Sequence, residues 1–154
     1  MKRIVIVMVF FVNAIGFSQN NNFIVEDKLI VWRWVYEDAN HFSALKNKLR
    51  LNFVSDSTGI ISKTNFGERN LEELTADFRI ESKKGKYRVS VFNIRFFGQL
   101  IHSKDLIQDY CMEREFLRNN GEIKKSVWGY NETELLNLHL IELFTIKKDA
   151  PTDW

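Results

Sequence analysis

Residues 74–97, LTADFRIESKKGKYRVSVFNIRFF, contain the pattern that decides the fold class. From Leu74 to Ser82, apolar and polar side chains alternate, so that one side of the segment is apolar and the other is polar or charged. Such alternation is typical of a strand in an antiparallel sheet that buries only one face. Lys83-Lys84-Gly85-Lys86 supplies a turn, and Tyr87 to Phe97 returns as the longest strand. We therefore predict a β-hairpin here.

Further strands are predicted on the N-terminal side of this hairpin. Leu29 to Tyr36 is rich in β-branched and aromatic residues and contains neither Gly nor Pro, which predicts a strand, with Ile24-Val25 as a short strand before it. Leu51 to Ser55 and Ile60 to Asn65 are shorter strand candidates. They are separated by a turn in which we expect Gly59 to take a positive φ.

Three segments have helical patterns. Phe42, Leu45 and Leu49 follow the i, i+3, i+7 spacing of an amphipathic helix of about three turns. A weaker signal predicts a helix around Tyr110 to Leu117. The C-terminal helix is clearer, with Asn131 as its expected N-cap and apolar residues around most of its circumference, which is typical of a helix buried against a sheet.

The predicted order is strand, helix, four strands, helix (β-α-β-β-β-β-α). A single antiparallel β-sheet with helices packed on one face accounts for this order, so the expected class is α+β. The sequence shows no internal repeat, linker or low-complexity tract. We therefore predict one domain over residues 19–154.

The first eighteen residues predict export. Lys2-Arg3 is a positive start, Ile4 to Ile15 is an apolar run, and Gly16 and Ser18 are the small residues expected before a cut at Gln19. The apolar run has only about twelve residues, against about 20 for a membrane-spanning helix. We expect a signal peptide at 1–18, with no stable membrane span after its removal and a periplasmic or secreted product. A retained N-terminal anchor is the alternative.

Charge and cysteine content restrict the function. Removal of residues 1–18 takes away two cations and no acids, which leaves 20 Lys and Arg against 20 Asp and Glu. The basic character expected of a nucleic-acid binder is therefore missing, and we predict no nucleic-acid partner. Cys111 is the only cysteine, so no internal disulfide can form. With no base beside it in sequence, we interpret it as a small core residue.

No catalytic, cofactor or metal motif is visible. His41, His102 and His139 lack the close spacing of metal-ligand pairs. Two acidic pairs, Glu72-Glu73 and Glu113/Glu115, are of the type used by glycosidases, but such pairs are more often solvated. Nucleophile-elbow and phosphate-loop patterns are also missing. We therefore predict no cofactor, no metal and no catalysis.

The sequence nevertheless contains candidate binding residues. Trp32 and Trp34 are spaced i, i+2, so both indoles lie on one face of a strand. That face is either core beneath the helices, which is our preferred interpretation, or an exposed stacking surface. Tyr87 is a further stacking candidate, and Arg79 and Arg88 are expected on the polar outer side of the hairpin.

Two segments of the chain resemble a known family. Asp27 to Tyr36 (DKLIVWRWVY) and Asp77 to Phe96 (DFRIESKKGKYRVSVFNIRF) are similar to a group of uncharacterised exported Bacteroidetes proteins, a domain of unknown function with a TATA-binding-protein-like (TBP-like) fold. Gly85 to Val89, followed by Asn93-Ile94, is the most similar part. The resemblance covers about residues 23–100, with a C-terminal helical extension over 101–154. It implies a fold and an exported location, provides no active-site residues, and implies nothing about DNA binding.

Three function hypotheses follow. The first is a non-catalytic periplasmic or cell-envelope protein-interaction module. It would use the sheet face away from the helices, or Tyr87 to Phe97 as an unpaired edge strand, to bind a partner or a second copy. The second is a small-ligand binder that stacks its ligand on Trp32, Trp34 or Tyr87. The third is a hydrolase, which would need a convergent cluster of polar side chains.

Overall fold

A computed structural model describes residues 22–37, 42–67, 73–99, 107–124 and 130–146. The elements are β1 (Phe23–Glu26), β2 (Leu29–Tyr36), a 3₁₀ helix (Phe42–Asn47), β3 (Leu51–Phe53), β4 (Thr58–Asn65), β5 (Glu73–Lys83), β6 (Lys86–Gln99), β7 (Ile107–Cys111), α1 (Met112–Phe116) and α2 (Tyr130–Phe144). The seven strands form one antiparallel sheet in the order β1-β2-β6-β5-β4-β3, and β7 pairs with β6 beside this series. None of the described helices is long and apolar enough to cross a membrane.

The predicted hairpin is confirmed as β5 and β6, at the centre of the sheet. Its strands pair from Lys83↔Lys86 to Glu73↔Phe97. The connecting residues Lys84 and Gly85 have φ values of 48° and 78°. Positive φ at both central residues is the geometry of a two-residue type I′ turn, whose twist matches that of the strands. This turn sets which side chains of β5 and β6 face the helices.

β6 is paired along both of its edges. β5 occupies one edge, while β2 pairs with the first half of the other edge, from Tyr36↔Tyr87 to Trp32↔Val91. β7 pairs with the second half of that same edge. The prediction that Tyr87 to Phe97 forms an unpaired edge strand is therefore wrong. The cause is the long-range pairing with β2, together with β7, a strand in a segment where we predicted only a helix.

A β-bulge lies where the strand paired with this edge of β6 changes from β2 to β7. The register shifts between Thr75 and Asp77 of β5, and Asn93 of β6 has a φ of 52°. A bulge bends its strand and leaves a residue unpaired. The amide of Ile30, beyond the last β2–β6 pair, donates instead to a carboxylate oxygen of Glu113 at 3.0 Å. Glu113 therefore satisfies a strand amide that β6 does not pair.

The helices pack on one face of the sheet, which we call the inner face. Phe144 of α2 is fully buried there and lies 6.4 Å from the ring of Trp32, centroid to centroid. The Tyr87 hydroxyl donates to the carbonyl oxygen of Phe144 at 2.7 Å, and the Trp32 indole donates to Oδ1 of Asn137 at 2.9 Å. These contacts attach α2 to two central strands. The α+β class and the single antiparallel sheet with helices on one face are confirmed.

Some local predictions differ from the structure. The helix expected from Phe42 to Leu49 is a 3₁₀ helix that ends at Asn47, and Leu49 is 95% exposed in the following turn. Gly59 lies inside β4 and is not among the residues with positive φ, so the turn role predicted for it is wrong. α2 begins at Tyr130, one residue before the expected cap Asn131, whose side chain lies outside the described set.

Candidate functional site

The sheet face opposite the helices is the candidate functional site, and we call it the outer face. The helices place buried side chains such as Leu45, Met112 and Leu140 toward the inner face. The alternating side chains of the strands point the other way, toward solvent. The outer face consists mainly of Glu26, Arg33, Val35, Ile60, Lys63, Glu73, Thr75, Asp77, Arg79, Glu81, Lys83, Lys86, Arg88, Ser90, Phe92, Arg95, Phe97, Asp109 and Cys111.

The predicted binding residues divide between the two faces. Arg79 and Arg88 are exposed on the outer face, as expected. Trp32 and Tyr87 are 0% and 1% exposed on the inner face, and Trp34 packs against the same core. The i, i+2 spacing correctly placed Trp32 and Trp34 on one face. The alternative that Trp32 or Tyr87 forms an exposed stacking surface is wrong, because α2 covers both side chains.

Ion pairs cross the outer face between neighbouring strands. The shortest nitrogen–oxygen distances are 2.7 Å for Arg33–Glu26 and Arg88–Glu81, 2.8 Å for Arg95–Asp109 and 2.9 Å for Lys63–Glu73. The hydrogen bond from Arg33 lowers the pKa of the Glu26 carboxyl and raises the pKa of the Arg33 guanidinium. Exposed pairs of this kind contribute little to stability. Their structural effect is to orient the long cationic side chains.

Two half-buried phenylalanines lie among these charges. The guanidinium carbon of Arg79 is 6.0 Å from the ring centroid of Phe92, and Nζ of Lys63 is 4.4 Å from that of Phe97. Cations at these distances interact favourably with an aromatic face. Phe92 and Phe97 are not among the site residues predicted from the sequence. The signal was present in the Phe96-Phe97 doublet, since consecutive strand residues face opposite sides and only Phe96 belongs to the core.

The bulge creates a shallow polar depression of about 320 Å³ on the outer face. Asn93 donates from Nδ2 to Asp77 at 2.7 Å across it. Cys111 is a half-buried free thiol here, directly opposite Arg95 in the β6–β7 register, rather than the core residue we predicted. Its position on this face results from β7, a strand that we did not predict from the sequence. The depression is lined by Thr75, Ala76, Asp77, Asn93, Arg95, Cys111 and Glu113.

A second groove, of about 470 Å³, lies between the 3₁₀ helix and α2. Its walls are Ala44, Lys48, His139, Glu142, Leu143 and Ile146. Nε2 of His139 is buried and has no hydrogen-bond partner among the described residues. Lys48 is used structurally, because its Nζ donates to the carbonyl oxygens of Leu143 and Thr145 at 2.8 and 2.7 Å, near the C-terminal end of α2.

The described residues hold few candidates for catalysis. His41, His102 and Glu72 lie outside them, as does the side chain of Glu115. Glu73 pairs with Lys63, and Glu113 accepts the amide of Ile30. Within the described ranges, no three His, Cys, Asp or Glu side chains are grouped as metal ligands would be.

Burial of His139 predicts a pH-dependent stability. Burial lowers the pKa of its imidazole below the ordinary value of 6.5, and the nearby Glu142 opposes this only in part. The unfolded chain therefore binds a proton more readily than the folded chain, so the free energy of unfolding should fall as pH drops below 6.5, until the folded-state pKa is passed. Urea unfolding of the protein and of His139→Gln at a series of pH values tests this. If the slope in this pH range is the same in the variant, His139 is not the source.

Comparison with known proteins gives similarities of fold. No protein-family model and no curated protein matches the sequence. A TBP-like protein from Parabacteroides distasonis ATCC 8503 has 13% sequence identity and a TM-score of 0.48, with 77% of this chain and 88% of that chain covered. A DUF4468 family protein from Bacteroides ovatus ATCC 8483 has 11% sequence identity and a TM-score of 0.47, with 85% of this chain and 95% of that chain covered. The first is described as TBP-like and the second as a member of a family of unknown function, which are the two terms that the sequence resemblance names.

Proposed function

We propose that this chain is an exported, non-catalytic cell-envelope domain that binds another protein through the outer face. Export rests on the first eighteen residues, where a positive start, a short apolar run and small residues before Gln19 follow the layout of a signal peptide. The leader is removed in this proposal, and the product resides in the periplasm or outside the cell.

The observation that carries the binding role is the composition of the outer face. Its cations are four arginines and three lysines, two of which, Lys83 and Lys86, lie at the hairpin turn, and aromatic rings lie under Arg79 and Lys63. Arginine and aromatic residues are enriched at protein–protein interfaces. The ion pairs hold these side chains in place before a partner arrives, which reduces the entropy lost on binding. A sheet face that only had to remain soluble would not need this selection of residues.

The alternatives have less support from the geometry. A ligand that stacks on Trp32 or Tyr87 would have to displace α2, which covers both rings. A hydrolase would need a nucleophile or carboxylate pair within reach of a base, and the described acids of the depression, Asp77 and Glu113, are each engaged by an N–H donor.

Photo-crosslinking tests whether the outer face meets a partner. Phe97 is replaced by p-benzoylphenylalanine in one form of the protein, and Leu138 in a control form, since Leu138 is 54% exposed on α2, away from the outer face. Each form is irradiated with an envelope preparation of the native host. We expect a discrete protein adduct from position 97 and none from position 138. Adducts from both positions alike, or none from position 97, would argue against this function.

A further inference from the structure

Arg79 differs from the other arginines of the outer face. Seven cationic side chains lie on this face, and five of them hold a carboxylate: Arg33 with Glu26, Arg88 with Glu81, Arg95 with Asp109, Lys63 with Glu73 and Lys86 with Glu37. Lys83, at the hairpin turn, has no carboxylate partner in the described ranges. No acidic side chain in the described ranges lies within ion-pair distance of Arg79. Its charge is therefore left for a group outside the described chain.

The position of Arg79 favours recognition by a partner. It lies on β5, one of the two central strands, with Ser90 of β6 and Thr58 of β4 as its cross-strand neighbours. Its guanidinium lies over the ring of Phe92. A guanidinium supported by an aromatic ring keeps its planar array of N–H donors, and this array matches the two oxygens of a carboxylate. Exposed central arginines beside aromatic rings are common among the residues that dominate binding energy.

The neighbours of Arg79 add to its attraction for an anion. Ser90 lies directly between Arg79 and Arg33 in the register, and Nε of Arg33 donates to its Oγ at 3.3 Å. The Ser90 hydroxyl keeps its own hydrogen to donate. Around this serine, three arginines (33, 79 and 88) face two carboxylates, Glu26 and Glu81, which leaves one positive charge in excess.

Asp77 does not form an ion pair with Arg79. It lies two residues before Arg79 on the same strand and face, and its Oδ2 accepts a hydrogen bond from Nδ2 of Asn93 at 2.7 Å. That contact places its carboxylate at the polar depression.

We infer that the partner presents an aspartate or glutamate side chain to Arg79, with Ser90 as the adjacent hydrogen-bond donor. This inference rests on the proposed function and specifies the chemistry of its partner. A single carboxylate fits better than a nucleic acid. A polyanion gains affinity from a row of cations that release counterions, and here five of the seven cations are already neutralised.

The test uses a minimal probe and a matched pair of variants. The ¹⁵N-labelled protein is titrated with N-acetylglutamate amide, which carries one side-chain carboxylate, and with N-acetylglutamine amide, its neutral counterpart. Arg79→Gln removes the unpaired arginine, and Arg88→Gln removes an exposed arginine of the same face that is paired with Glu81. Amide shifts across the spectrum show at the same time whether each variant is folded.

We expect saturable shifts at the Ser90 and Phe92 amides with the glutamate compound only. Arg79→Gln should weaken this binding by about tenfold or more, and Arg88→Gln by about twofold at most. The inference would be overturned if Arg79→Gln bound the glutamate compound as tightly as the unmodified protein does. It would also be overturned if the unmodified protein did not bind the glutamate compound, or if it bound the glutamine compound equally well. Stronger saturable shifts at these amides with a thymidine oligonucleotide would overturn it as well.

The crosslinking experiment separates this inference from the proposed function. If adducts from position 97 form equally in an Arg79→Gln background, the carboxylate inference fails while the proposed function stands. If no adducts form from position 97, the proposed function itself fails.

Discussion

Replacement of Gly59 by alanine is expected to lower the free energy of unfolding by about 3 kcal/mol, because the added methyl group has no space. A Cβ at this position would overlap the backbone oxygen of Asn52 and lie 2.5 Å from Cζ of Phe78 and 2.8 Å from Cε1. The Asn52 carbonyl belongs to β3, so it cannot retreat without disturbing the pairing of β3 with β4. Urea unfolding followed by tryptophan fluorescence measures the loss.

Two further variants separate this steric cost from other effects of glycine. Gly121→Ala should lose only about 1 kcal/mol, since its φ of 83° is strained for alanine but no atom lies within 4 Å. Phe78→Leu combined with Gly59→Ala should lose less than the two single variants together, because a smaller side chain relieves part of the overlap. A loss for Gly59→Ala no larger than that for Gly121→Ala would contradict the steric explanation.

Truncation of Phe144 to alanine is expected to lower the free energy of unfolding by about 3–5 kcal/mol, the range for a fully buried phenylalanine. Phe144 has no exposed surface, stacks near Trp32 and meets the ring of Phe78 edge-on at 5.3 Å between centroids. Its removal leaves a cavity between α2 and the central strands. The same urea titration applies, with reduced near-ultraviolet circular dichroism as a second sign of lost aromatic packing.

The matched control for Phe144→Ala is Leu138→Ala on the same helix. Leu138 is 54% exposed, so its truncation should change the free energy of unfolding by less than about 1 kcal/mol. Equal losses in the two variants would mean that α2 does not dock through Phe144.

The parts of the fold that were predicted correctly depend on local patterns. Alternation along Leu74 to Ser82 identifies the strand, and the inner side chains of β5, Leu74, Ala76, Phe78 and Ile80, are all buried. Lys84-Gly85 identifies the turn, because glycine readily adopts the positive φ that a type I′ turn requires. The alternation of apolar and polar residues and the residue types of a turn are properties of neighbouring residues, so a single sequence is sufficient to recognise them.

The predictions that failed depend on distant partners. Whether β6 is an edge or a central strand depends on which strands pair with it, and these are β2, far earlier in the chain, and β7. Ile107 to Cys111 has too short and mixed a pattern to be recognised as a strand. Gly59 looks like a turn residue in the sequence, but its small size is required by Phe78, which is nineteen residues further along the chain and opposite it in the β4–β5 register. Tertiary contacts of this kind override local signals.

The candidate site was predicted in part for the same reason. Alternation placed Arg79 and Arg88 on the outer face, and the structure agrees. It could not tell which arginine has a carboxylate partner, because the ion pairs depend on the cross-strand register. Burial of Trp32 and Tyr87 likewise depends on the face that α2 covers, which the spacing within a strand does not reveal.

The division of one edge of β6 between β2 and β7 has a consequence for the order of folding. Arg33 of β2 contacts Ser90, 57 residues later, and the Trp32 indole bonds to Asn137, 105 residues later. A chain that emerges N-terminus first therefore carries an apolar β2 before its partners β6 and α2 have emerged. Sheets built from such distant contacts fold slowly. Until α2 has emerged, the inner face of the sheet lacks the helix that covers it, so we expect the partly emerged chain to expose apolar surface.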